Sequence, residues 1–123
     1  MAAFALVRNL SRESAVPARI RICDSFASRF RGLMFRSRLA RDDGLLLVGT
    51  RDSRLDSAIH MIFVSFDLAV FWIDSRMEVV DKVVARAWRP AYIPSRPAQY
   101  VLELHPDLYA AYEIGNKVRI TNA

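Results

Sequence analysis

Apolar and polar positions along this chain alternate mostly with a period of two, the repeat of a half-buried strand. Residues 4–8 predict a first strand, and Arg19-Ile20-Arg21-Ile22-Cys23 predicts a second. Residues 11–17 read as the turn or loop between them. After Asp24 the period lengthens. Phe26, Phe30, Leu33 and Met34 stand at i, i+4, i+7 and i+8, one stripe of a helix, with Ser25 or Asp24 as its N-cap.

Leu45-Leu46-Leu47-Val48 is a short apolar run bounded by Gly44 and Gly49, and it predicts a buried strand. A polar connector follows at residues 51–56, then an apolar segment at residues 59–63. Residues 66–73 are the most apolar stretch. Leu68, Val70 and Trp72 fall on one alternating face and Ala69, Phe71 and Ile73 on the other, so a central strand covered on both sides is expected. Asp74-Ser75-Arg76 supplies turn residues before a strand at residues 79–85, which predicts an antiparallel hairpin. Pro90, Pro94 and Pro97 cannot donate ladder hydrogen bonds and mark residues 89–97 as a loop. A strand at residues 100–104, a short helix starting at Pro106 and stopping at Gly115, and a strand at residues 117–121 complete the pattern.

The elements add up to a compact, strand-rich α+β fold, a mostly antiparallel sheet or small barrel with two short helices. One domain over residues 1–123, built around a single shared interior, is expected. With 53% apolar and 25% charged residues in 123, the chain has enough apolar surface to form a core without covalent staples. One cysteine, Cys23, excludes an intrachain disulfide and a zinc site built on several thiolates, and fits a reducing compartment. The apolar start at residues 2–7 is too short for a secretory signal, and no long uninterrupted apolar run occurs anywhere. A cytoplasmic location without membrane insertion is the expectation.

The formal net charge is +5, and of the 18 basic residues only Lys82 and Lys117 are lysines. An arginine-rich surface favours anionic partners, nucleic acid among them. Genome base composition produces the same bias without any binding.

The motif Arg29-Phe30-Arg31-Gly32-Leu33-Met34, the pair Ile59-His60, residues 66–74, Trp88-Arg89, and residues 98–104 with Gly115 occur in an order that resembles the domain of unknown function 192 family. The resemblance spans about residues 19–120. It implies a compact strand-rich α+β fold and no established reaction. Two positions depart from the family pattern. Asp67-Leu68-Ala69 stands where Pro-Leu-Asp is expected, which removes the acid at position 69 and leaves Asp67 two positions away on the same strand face. Met77 stands where a glycine is common, and methionine resists a positive φ.

Among candidate chemical groups, His60 lies between a polar connector and an apolar segment, where a pocket lip could form, and histidine suits proton transfer near neutral pH. A hydrolase-like enzyme using His60 and Asp67 is one alternative reading. Cys23 shares a strand face with Arg19 and Arg21, whose charge would favour the thiolate. His105 before Pro106 reads as a boundary residue. Arg29, Arg31, Arg36, Arg38 and Arg41 could line an anion-binding face, though helical spacing scatters them. Glu103 is expected to pair with an arginine. Trp88, Arg89, Tyr92 and Arg96 lie on a proline-stiffened loop, the kind of aromatic and guanidinium surface that binding sites use, or a lid with Trp88 plugging a barrel. Phosphate-cradling, dinucleotide, nucleophile-elbow and metalloprotease motifs do not occur in the sequence. No cofactor or metal is expected. The leading reading is a non-enzymatic accessory domain that binds a small molecule or a protein through His60, Arg31 and the residues 88–97 loop; nucleic-acid binding through the arginine surface is the other alternative.

Overall fold

The computed structural model describes residues 3–12 and 18–122. Residues 13–17 of the expected first loop lie outside the described part, as do the side chains of Ala18 and Phe26. Seven strands build one sheet: β1 (Phe4–Asn9), β2 (Ala18–Cys23), β3 (Gly44–Ser53), β4 (Leu68–Ile73), β5 (Val79–Ala85), β6 (Ala98–Leu104) and β7 (Val118–Asn122), in the order β5-β4-β6-β3-β2-β1-β7. The two short helices are α1 (Phe26–Arg31) and a 3-10 helix (Pro106–Ala111). No helix among the described residues is long and apolar enough to cross a membrane.

All neighbouring strands are antiparallel except β2 and β3, where Arg21, Ile22 and Cys23 lie beside Leu45, Leu46 and Leu47 in parallel register. The sheet is therefore mixed. A parallel pair cannot be joined by a tight turn, and the stretch from Asp24 to Asp43, carrying α1, supplies the crossover. The sheet curls into a half-barrel whose edge strands touch at one end. There Glu78 bridges Lys117, Val79 N–H donates to the Asn116 carbonyl at 2.9 Å, and Gly115 N–H donates to the Val79 carbonyl at 2.8 Å.

Burial on both faces follows from the sequence of β4, all six residues of which are buried. Leu68, Val70 and Trp72 join one apolar cluster with Leu33, Leu45, Met61 and Val101, under α1 and residues 55–64. Ala69, Phe71 and Ile73 join a second with Val7, Leu102 and Tyr112, under the 3-10 helix. The expected single interior is thus two, one on each side of a shared sheet, because a strand apolar on both faces must be covered twice. Trp72 satisfies its indole by donating Nε1–H to the Ser57 carbonyl at 2.8 Å, which fastens the covering segment to the sheet.

Three elements depart from the expected bounds. α1 is N-capped by Ser25, whose side chain and that of Ser28 form a reciprocal capping box, but it ends at Arg31 because Gly32 turns to φ +45°. Of the predicted stripe, Leu33 is buried and Phe30 is exposed. β3 runs on to Ser53, through half of the expected connector, by pairing with β6 across a register shift between Val48 and Ser53. The turn after β4 keeps a left-handed residue without glycine, with Met77 at φ +65°. The buried Asp74 side chain accepts from the N–H groups of Arg76 and Glu78, and Met77 packs on the second cluster; together these outweigh a strain of about 1 kcal/mol.

Gly44 marks the tightest approach of backbone in the sheet's parallel corner. A Cβ there would lie 2.7 Å from Leu104 Cδ2, 2.8 Å from the Glu103 carbonyl oxygen and 2.9 Å from Ile20 Cγ2. Gly44→Ala is expected to destabilise the fold by about 1–3 kcal/mol in urea unfolding, since a backbone carbonyl cannot step aside as a side-chain tip can. Unchanged stability would show that β2, β3 and β6 do not close so tightly.

Candidate functional site

Between the end of α1, the segment from Leu55 to Met61, and the β3 and β6 face of the sheet lies a cleft of about 310 Å³. Leu33, Leu47, Met61, Val64 and Val101 give it an apolar body, and Arg29, Arg31 and Arg51 stand round its mouth. Its size is within the range of small-molecule sites. Arg29 is tied down by an Nη1–H donated to the Val48 carbonyl at 3.1 Å, while the exposed Arg51 pairs with Asp56 at 3.5 Å.

Glu103 belongs to the sheet wall of this cleft. In register it sits between Leu45 of β3 and Val70 of β4, so two apolar side chains flank it on the same face. Only 5% of the residue is exposed, and its carboxyl makes no hydrogen bond or ion pair among the described residues, so its oxygens keep the little access that remains. The turn at Gly32 roofs it; a Cβ on residue 32 would come 4.0 Å from Oε1. The expected arginine partner is thus absent, and burial pushes the carboxyl up from 4.5 to about 7. A charged residue within a strand buried on both faces is the signal in the sequence that could have singled this group out.

His60 also lines the cleft, but both ring nitrogens are engaged by backbone. Nε2 lies 2.9 Å from the Phe30 carbonyl, which can only accept, so Nε2 carries the proton; Nδ1 then accepts from Ile62 N–H at 3.2 Å. The ring rests 4.9 Å from that of Phe30. His60 therefore straps the end of α1 to the segment that covers the sheet. Asp67 is elsewhere. Its carboxylate accepts from Ala87 N–H and from Arg86 at 2.8 Å, and these bonds hold it below the usual carboxylate range. The fold does not bring His60 and Asp67 together.

The other expected site residues separate. Arg31 is exposed at the cleft mouth. Trp88 is 56% exposed and plugs nothing; its indole packs edge-on against Phe63. Arg89 is exposed beside it and Arg96 is exposed further along the loop. Tyr92 turns inward, pairing with Ile59 and accepting at its hydroxyl from Arg86 N–H. The helix arginines also disperse: Arg36 pairs with Asp43 and Arg41 with Asp107. Cys23 is buried, and desolvation raises its thiol despite the charge of Arg21, which corrects the expectation of a reactive thiolate. Among the described residues no three His, Cys, Asp or Glu side chains gather closely enough to hold a metal ion.

The Glu103 geometry makes stability depend on pH in a defined sense. Between pH 4.5 and about 7 the unfolded chain ionises this carboxyl while the folded chain keeps it protonated, so stability falls as pH rises through that window. Glu103→Gln removes the effect. Against this variant the native protein is expected to lose about 3 kcal/mol between pH 4.5 and 8, read from urea unfolding at each pH. Parallel curves would place the carboxyl in water or in an ion pair.

Comparison with known proteins agrees with this architecture. The model of the "Uncharacterized ACR" family, domain of unknown function 192, matches residues 7–121. A UPF0127 protein of Thermococcus kodakarensis is 35% identical over 98 residues, covering 80% of this chain and 60% of that protein. Another, from Thermococcus gammatolerans, is 42% identical over 84 residues, covering 68% of this chain and 53% of the relative. The chain thus spans little more than half the length of these two. A UPF0127 protein of Pyrococcus horikoshii is 32% identical over 117 residues and is covered over 97% of its length. Among solved structures, a protein of unknown function from Novosphingobium aromaticivorans superposes with a TM-score of 0.78 at 16% identity, covering 96% of this chain and 84% of that one. A chain from Sinorhizobium meliloti superposes with a TM-score of 0.80 at 18% identity, covering 99% and 94%. At such identities the likeness concerns the fold alone. With its family model matched across nearly all of its length, the chain belongs to the uncharacterised domain of unknown function 192 family.

Proposed function

We propose that this domain is a binding module that takes a polar small molecule into the cleft beside Glu103, without chemistry on it. The carrying observation is the Glu103 carboxyl, set in an apolar wall without a partner among the described residues and open only slightly, beside the volume of the cleft. A buried polar group without a partner costs free energy. A bound hydroxyl, amide or ammonium group that donates to the carboxylate offsets that cost. Arg31 and Arg51 at the mouth suit an anionic or strongly polar outer end of the same molecule. With His60 satisfied by backbone on both nitrogens, the cleft has shape and polarity for recognition and no assembled acid–base pair.

A thermal-shift screen of polar metabolites at pH 6 and pH 8 tests this. A ligand at one hundred times its dissociation constant adds about 2.7 kcal/mol to stability, which moves the midpoint by several degrees. The shift is expected to disappear in Glu103→Gln and to shrink in Arg31→Ala, while Trp88→Asn leaves it intact. A hit whose shift survives Glu103→Gln, or a broad panel without any hit, would contradict the reading.

A further inference from the structure

On a surface separate from the cleft, three turns bring Phe35, Phe63 and Trp88 side by side. The Phe35 and Phe63 rings stack with centroids 4.8 Å apart, and Phe63 meets Trp88 edge to face at 5.4 Å. None of the three lines the cleft. All are exposed, at 66%, 44% and 56%, and the neighbouring Ile62 is exposed too. Each of the three aromatic residues has a left-handed backbone, with φ of 64°, 60° and 67°. Bulky side chains avoid this conformation, so something beyond local preference holds them there.

That something is a set of hydrogen bonds between the turns. Phe35 N–H donates to the Phe63 carbonyl at 2.9 Å, Trp88 N–H to the Met61 carbonyl at 3.0 Å, and Met61 N–H to the Arg89 carbonyl at 2.8 Å. Ser65 Oγ donates to the Arg36 carbonyl at 3.2 Å. The apolar knob is thereby rigid before it meets anything. Its surroundings hold more basic than acidic groups, with Arg36, Arg41 and Arg86 paired to Asp43, Asp107 and Asp67. Residues 33–41, 61–66 and 86–91 contain Arg36, Arg38, Arg41, Arg86 and Arg89 and no Asp or Glu. Arg38 and Arg89 are exposed and have no ion-pair partner among the described residues.

We infer that the Phe35, Phe63 and Trp88 knob docks this protein on the surface of an anionic lipid bilayer, rings entering the interface and arginines meeting the headgroups. Aromatic rings favour the headgroup level, and basic residues beside them add attraction to anionic lipid. The charge around the knob selects an anionic partner, and its form selects lipid over single-stranded nucleic acid. The central ring, Phe63, is already covered by Phe35 and Trp88, and Ile62 adds apolar bulk with no stacking face. Docking of this kind needs no membrane-spanning segment and is independent of the cleft.

Vesicles of phosphatidylcholine with and without phosphatidylglycerol, mixed with the full chain, provide the test. Trp72 is buried, so a blue shift of tryptophan emission on adding lipid reports Trp88. The protein is expected to sediment with the phosphatidylglycerol vesicles and to show that shift, with both effects weakened by salt. Asparagine tolerates left-handed backbone, so Phe63→Asn and Trp88→Asn remove rings without adding strain. Each is expected to keep a native thermal midpoint and lose roughly tenfold or more in partitioning, as is Arg89→Glu. Glu103→Gln is expected to partition like the native chain, which separates this surface from the cleft. Equal partitioning into both vesicle types, none into either, retention by the ring variants, or preferential binding of single-stranded oligothymidine through the same residues would overturn the inference.

Discussion

A carboxyl group placed between leucine and valine side chains must keep its proton, find a partner or be moved out, and in this fold the third course is closed. Glu103 lies on β6, which pairs on both sides through the middle of its length, with Gly44 and Leu45 of β3 on one flank and Val70 of β4 on the other. Shifting β6 by one residue would turn every side chain on it to the opposite face and empty both apolar clusters. Register therefore fixes the acid in the wall. The remaining options are the proton, which burial supplies by raising the carboxyl to about 7, and a partner from outside, for which the cleft leaves space.

The elements over Glu103 are arranged to keep that space. α1 stops one residue before Gly32, whose positive φ lets the chain turn over the carboxyl with no side chain of its own. His60 ties the end of the helix to the covering segment, and Trp72 ties that segment to the sheet. Each strap is a side chain bonded to a backbone carbonyl, so the cleft walls are set by the fold and do not depend on the ion pairs at its mouth. The same covering segment continues into the turn at Phe63, and so connects the cleft to the aromatic knob without merging the two.

Much of the sheet was legible in the sequence, because alternation reports burial directly. β2, the hairpin of β4 and β5, and the two-sided character of β4 follow from their apolar positions. The parallel pairing of β2 with β3 was not legible, since nothing local distinguishes parallel from antiparallel neighbours in short strands. The site was harder for a related reason. His60, Arg31 and Trp88 are visible as chemistry, but adjacency along the chain misleads at the residues 88–97 loop, where Trp88 is exposed and Tyr92 turns inward. In sequence Glu103 resembles one half of an ion pair, because only the strand register reveals the leucine and valine that flank it. The left-handed aromatics were invisible, because local preference opposes them and only hydrogen bonds between distant turns impose them.

Central to this account is an acid held without a partner in an apolar wall. Titration of the Glu103 side-chain carboxyl carbon by NMR measures that state directly in the unliganded protein. The structure predicts a midpoint close to 7. A midpoint in the ordinary glutamate range would mean that water or an arginine already satisfies the carboxyl, and the case for a ligand in the cleft would fail.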